Sequence, residues 1–285
     1  MSDLVPPRPD SARPDLARPD LTASDPAGSD GRVSASVAGI DDRRNGGRGI
    51  GGRGSTWTWW EAIGVYLGCL LVTSLLAIPV IALISNTDDA TFVAAALAAV
   101  GNVLLLVLWL SRRHPGWQSI IGFPKRVWPE ARAGVGFGLL LYPGIAFGIG
   151  LVVSALLSSA AGHRVSAPDQ VPSDLTVLGN VVTVVYAVLI APVHEEFFFR
   201  GILFRSLRDR YGFGLGATCS GLAFGLVHYV GGGSSLLSNL LLMLTMVFTG
   251  FALAYLYERR GNIVAPMIAH ATFNTIGVLL IFFVK

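Results

Sequence analysis

Three pairs of residues four apart, each set in an apolar stretch, have the types that could do chemistry. Glu196 and Arg200 belong to the run His194-Glu195-Glu196-Phe197-Phe198-Phe199-Arg200. Phe224 and His228 form a second pair, and His270 and Asn274 a third. On a helix, residues four apart share one face. A glutamate beside a histidine can take a proton from water and leave a nucleophile. A second histidine and an asparagine on a facing helix can donate hydrogen bonds to a developing oxyanion. An arginine one turn after Glu196 would hold that carboxylate ionised and fixed. Amide hydrolysis needs this set: an activated water, an oxyanion site and an orienting ion pair.

The elements that must position these groups are membrane helices. Charged residues are 14% of the chain, against about a quarter in soluble domains. No Asp, Glu, Lys or Arg occurs from Ala62 to Asn86, Ala90 to Ser111, Ala133 to Gly162, Leu175 to Val193, Tyr211 to Tyr257 or Asn262 to Val284. A helical span needs about 20 such residues, so five of these stretches supply one span each. The fifth, broken at Gly231-Gly232-Gly233-Ser234-Ser235, supplies two. The expected fold is therefore all-α, a polytopic bundle of about seven transmembrane helices, because only helices and closed barrels satisfy the backbone in lipid. Ionisable groups at membrane depth are functional suspects by default.

Charge placement gives the expected orientation. Arginines crowd the N-terminal tail and the second (112–132), fourth (205–210) and sixth (259–260) connections, whereas the third holds only Arg164. The positive-inside rule then puts the N-terminus in the cytoplasm. The net positive charge needs no nucleic acid as partner. Residues 1–56 read as a disordered low-complexity tail with an Arg-Pro-Asp repeat, too poor in apolar bulk to fold. Its Arg43–Arg53 part is suited to anionic headgroups, and residues 57–285 form the membrane domain. Trp57, Trp59 and Trp60 are expected at the water–lipid boundary, and 112–132 is expected to lie as an amphipathic segment in the interface. The helix after Leu175 is expected to be roughly 50 Å long, with Pro192 loosening its backbone beside Glu195 and admitting water. The glycines of the third span (Gly134, Gly136, Gly138, Gly144, Gly148, Gly150) suggest close helix packing.

Glu195-Glu196-x-x-x-Arg200, Phe224-x-x-x-His228 and His270-x-x-x-Asn274 resemble, in order, the three motifs of the CPBP family. These are the CAAX-protease and bacteriocin-processing membrane proteins, also called Abi or type II CAAX prenyl endopeptidase-like. The resemblance covers roughly residues 177–284. It implies an intramembrane endopeptidase in which Glu195 activates water with help from His228. His270 and Asn274 would form the oxyanion site, Glu196 and Arg200 the supporting pair, in a cavity open to the cytoplasm. Its members are often labelled metalloproteases. Two histidines and a glutamate could bind zinc, but no His-Glu-x-x-His helix is present, and the expected mechanism uses no metal cofactor.

Blander readings stand beside these. Glu196–Arg200 could serve insertion alone, and His228 or Asn274 could be interhelical glue. His194 matches no motif position. Phe197 to Phe199 are expected against lipid and neighbouring helices. Asn102, Tyr142 and Asn180 are expected as helix–helix hydrogen bonders. Competing functions are a proton-coupled transporter, disfavoured by the lack of an internal repeat, and a non-catalytic scaffold or bacteriocin-immunity protein. The expected partners are a peptide or membrane-anchored protein substrate and the lipid bilayer. Arginine-rich, lysine-poor composition suits a GC-rich bacterium, so the expected location is a bacterial plasma membrane.

Overall fold

The computed structural model describes residues 54–172, 175–231 and 234–283. The Arg-Pro-Asp repeat, the Arg43–Arg53 cluster, nearly all of the 1–56 tail, and Gly232 and Gly233 of the glycine break lie outside them. Among the described residues every regular element is a helix, and six runs are long and apolar enough to cross a membrane. In chain order these helices are α1 (Trp59–Leu83), α2 (Thr87–Arg113), the short α3 (Trp117–Ile121) and α4 (Val127–Ala161). After a run from Val177 to Leu226 come α7 (Leu236–Arg260) and α8 (Val264–Phe283). Leu67, Leu71 and Leu76 of α1 are among many large apolar residues left on the outside, as lipid contact requires. The chain is a polytopic membrane helix bundle.

The 50-residue run Val177–Leu226 is not one rod. Gly212 has φ 82° and ψ 171°, a conformation that a side chain rarely adopts, and it divides the run into α5 (177–211) and α6 (213–226). α6 folds back along α5. The Ser220 hydroxyl donates to the Phe199 carbonyl at 2.9 Å, and the Phe224 ring meets Phe199 edge-on at 5.2 Å. The expected fourth and fifth spans are therefore these two arms of a hairpin, and seven membrane segments result.

Local chemistry sets the helix ends. Thr58 accepts from the Glu61 N–H and Glu61 reciprocates, a capping box. Asn86, Thr176 and Ser235 cap α2, α5 and α7. The start of α5 is also tied to α2, where buried Asp89 accepts from the Thr176 N–H (3.1 Å) and from its hydroxyl. Of the six α4 glycines, Gly134 and Gly138 make the close approach expected. A Cβ on Gly138 would lie 2.5 Å from the Ala269 carbonyl of α8, and one on Gly134 would lie 2.6 Å from that of Ala265. Gly136, Gly144 and Gly148 face open space.

Two surface expectations are corrected. Trp57 is not at the lipid boundary: it is 2% exposed, and its indole N–H donates to the Ile202 carbonyl of α5 at 3.0 Å. Trp60 alone of the three is strongly exposed. The 112–132 connection is amphipathic as expected: one face packs on protein while Phe123, Val127 and Trp128 stay exposed. Gly116 and Gly122, both at φ 83°, bracket α3, whose Trp117, Ile120 and Ile121 are buried. Tyr257 donates to the Ile121 carbonyl at 2.7 Å, and Trp117 meets Phe197 edge-on at 5.8 Å. Phe197, Phe198 and Phe199 are all buried against protein, leaving none for lipid. Apolar bulk beside a polar loop found a packed body to enter, which periodicity cannot distinguish from a lipid surface.

Candidate active site

The catalytic-type residues stand on three helices: Glu195, Glu196 and Arg200 on α5, His228 just beyond α6, and His270 with Asn274 on α8. α5 holds its register through two π-helical turns, Tyr186–Ile190 and Phe197–Phe204, on either side of the glutamates. In the first, the Ala191 N–H donates to the Tyr186 carbonyl. The next carbonyl, Ala187, would look to residue 192 in that register, which is Pro192 and has no N–H. The Asn274 side-chain amide fills the vacancy, donating to the Ala187 carbonyl at 2.7 Å. Pro192 thus does open the helix backbone, and the opened carbonyl fixes α8 against α5.

Behind the cavity wall lies a sealed ion pair. Arg200 Nη1 is 2.9 Å from Glu196 Oε1, with both side chains fully buried. Arg200 Nη2 donates to the Gly250 carbonyl of α7 at 3.1 Å, and its guanidinium lies 4.4 Å from the centre of the Phe224 ring. His270 Nδ1 is 2.9 Å from the same Glu196 oxygen. A carboxylate paired with a guanidinium accepts, so Nδ1 carries a proton, and in the neutral ring Nε2 then presents its lone pair. Nε2 lies 3.8 Å from Glu195 Oε2. That is too long for a hydrogen bond and suits two acceptors that share one water. His228 Nδ1 lies 2.7 Å from the Phe224 carbonyl; a carbonyl only accepts, so this ring too keeps Nε2 free.

Glu195, His228, His270 and Asn274 line one cavity of about 820 Å³, while Glu196 and Arg200 stay out of it. The imidazole beside Glu195 is that of His270, where His228 was expected. Asn274 spends one amide hydrogen on Ala187 and keeps another for a ligand. Tyr142 and Tyr186 also line the cavity. Tyr142 packs on Phe273, ring centres 5.1 Å apart, and nothing in the sequence singled out Tyr186. His194 faces away from the cavity lining, buried and stacked on Tyr66 at 5.9 Å. Buried Asn102 makes none of the expected hydrogen bonds, and Asn180 bonds back to the Leu175 and Thr176 carbonyls at its own helix start.

Six residues of the third connection, Arg164 to Ala167 with Gln170 and Val171, line the cavity. None comes from the arginine-rich connections, the side on which a cytoplasmic opening was expected. Among the described residues no three His, Cys, Asp or Glu side chains are placed to hold a metal ion.

Comparison with known proteins bears on residues 177–276, which match a family model described as Type II CAAX prenyl endopeptidase Rce1-like. That stretch holds all six candidate residues, and over it the family resemblance read from the motifs is shown. The chain is also similar to "Putative membrane peptidase YdiL" of Bacillus subtilis (strain 168), 33% identical over 97 residues, which are 34% of this chain and 36% of that protein. It is 28% identical over 109 residues to an "Uncharacterized 24.3 kDa protein" of Escherichia coli, covering 38% of this chain and 48% of the other. The chain thus spans less than half the length of either relative. No solved structure matches it.

Proposed function

We propose that this chain is an intramembrane endopeptidase that hydrolyses a peptide bond with a water held between Glu195 and His270. The observation that carries the reading is the placement of Glu195, His228, His270 and Asn274 on one cavity, with Glu196–Arg200 sealed behind His270. The water donates one hydrogen to the Glu195 carboxylate and the other to His270 Nε2, which turns its oxygen lone pairs toward the substrate carbonyl carbon. As the C–O bond forms, Glu195 takes a proton. The free amide hydrogen of Asn274 donates to the carbonyl oxygen as that oxygen gains charge, the kind of stabilisation that dominates acyl transfer. The proton passes to the leaving nitrogen as the C–N bond breaks, and His228 Nε2 is a second group able to relay it. Glu196 and Arg200 touch no substrate in this scheme and are positioning residues that fix the His270 tautomer.

The Rce1-like match over the site residues supports peptide hydrolysis as the reaction class. The substrate in this reading is a peptide or the extended end of a membrane-anchored protein. With the arginine-rich connections taken as facing the cytoplasm of a bacterial plasma membrane, the N-terminus is cytoplasmic in this reading and the third connection, which lines the cavity, lies on the opposite face.

Full-length protein in detergent, offered quenched prenylated and unprenylated peptides with and without a chelator, tests the reading. Wild type should cleave, and Glu195→Gln should lose at least about a hundredfold in rate, as removal of a general base does. Folded wild type that cleaves nothing, or a Glu195→Gln protein as active as wild type, overturns it. Loss of activity with chelator alone would assign the water to a metal instead.

A further inference from the structure

The third connection is a built rim. Val165, on the chain beside Arg164, is 3% exposed and held from both sides by α4. Its N–H donates to the Ser158 hydroxyl at 2.8 Å, and its carbonyl accepts from the Ser154 hydroxyl at 2.6 Å. On the other side, His163 Nδ1 lies 3.2 Å from the Arg164 carbonyl. The backbone is therefore fixed where Arg164 meets the cavity. Arg164 is the single Lys or Arg among the cavity-lining residues, with Ser166 and Gln170 beside it. Arg164 is an exposed residue and is in no ion pair among the described residues.

Between rim and floor the wall is mainly apolar, with Ile145, Leu241, Leu242, Met246, Phe273 and Ile281 among its residues. Ile281 and His270 both line the cavity from α8, and eleven residues of helix separate them by about 16 Å. An extended peptide advances about 3.4 Å per residue, so roughly five residues fit between rim and floor.

The geometry points to Arg164 as a specificity-determining residue: it holds a carboxylate of the substrate peptide at the mouth while an apolar segment of about five residues reaches Glu195. A guanidinium offers a planar fork matched to a carboxylate, and among the described residues no other Lys or Arg lines the cavity. The carboxylate belongs either to a chain terminus or to an acidic side chain. The inference rests on reading the cavity as a peptide site, but not on turnover.

The test is binding, in the Glu195→Gln background so that nothing is consumed. The probes are dansylated heptapeptides of Ala, Val and Leu with a free C-terminal carboxylate, the same with a C-terminal amide, and the amide carrying one terminal-proximal Glu. Full-length protein in neutral detergent should bind one or both carboxylate peptides about tenfold more tightly than the plain amide, the loss expected for one charge-assisted hydrogen bond. Which of the two binds identifies the source of the carboxylate. Arg164→Gln should erase the difference without weakening the amide peptide, and Arg164→Lys should keep part of it. Equal affinities for all three peptides, equal loss by the amide in Arg164→Gln, or no binding at all overturns the proposal. So does competition by phosphatidylglycerol that disappears in Arg164→Gln, which would assign the arginine to a lipid phosphate. Binding without cleavage by the protein with Glu195 intact would remove the peptidase reading and leave this one standing.

Discussion

Removing the Asn274 amide should destabilise the fold through one carbonyl, and restoring an N–H at residue 192 should rescue it. In the structure the Ala187 carbonyl has lost its helical donor twice over. The Ala191 N–H is engaged with Tyr186, and Pro192 has none to give, so Asn274 Nδ2 at 2.7 Å is the replacement. Asn274→Ala leaves that acceptor without its side-chain partner, which costs about 1–3 kcal/mol. For a body of this size that is a loss of about 2–12 °C in Tm. In the Pro192→Ala background an N–H is available in the π register, so the same Asn274→Ala step should cost less than half as much. Each step is compared within its own background because removing a proline also loosens the unfolded chain. The assay is loss of helical circular dichroism on heating the four proteins in one detergent. An equal drop for Asn274→Ala in both backgrounds would show that Ala187 is not the acceptor that matters. No drop in either would refute the reasoning altogether.

Two further outcomes follow from the packing. Arg200→Met should lower Tm by about 6–20 °C, because stripping one partner from a buried pair costs about 3–5 kcal/mol. Arg200→Met with Glu196→Gln should recover part of it, and a thermal shift no worse in the single than in the double variant would contradict the pair's role. Gly138→Leu should push α4 off α8, since even a Cβ would sit 2.5 Å from the Ala269 carbonyl. Gly136→Leu, facing open space, serves as the control and should match wild type in monodispersity on size-exclusion chromatography.

Much of the site was legible in the sequence because its chemistry is local. The four-residue spacing of Glu196 and Arg200 became a 2.9 Å contact, and charge-free stretches located the helices. Contacts between helices were not legible. That His270 rather than His228 stands by Glu195 depends on how α8 rotates against α5, which the Ala187–Asn274 bond helps to set and no periodicity records. Gly212 lay inside a stretch read only as charge-free, and its positive φ turned a boundary into a hairpin. Trp57 read as interfacial because aromatic residues near a basic loop look the same whether lipid or protein receives them.

The brevity of α6 bears on the bilayer as much as on the protein. The fourteen residues from Phe213 to Leu226 rise about 21 Å, against a hydrocarbon core of about 30 Å. A segment too short for its membrane draws the two leaflets together around it. His228 sits where that shortfall ends, so in a bilayer of that thickness headgroups and their hydration would dip toward it. The enzyme proposed here would then bring water to a buried reaction partly by deforming its solvent, with local membrane thickness acting as a parameter of the site.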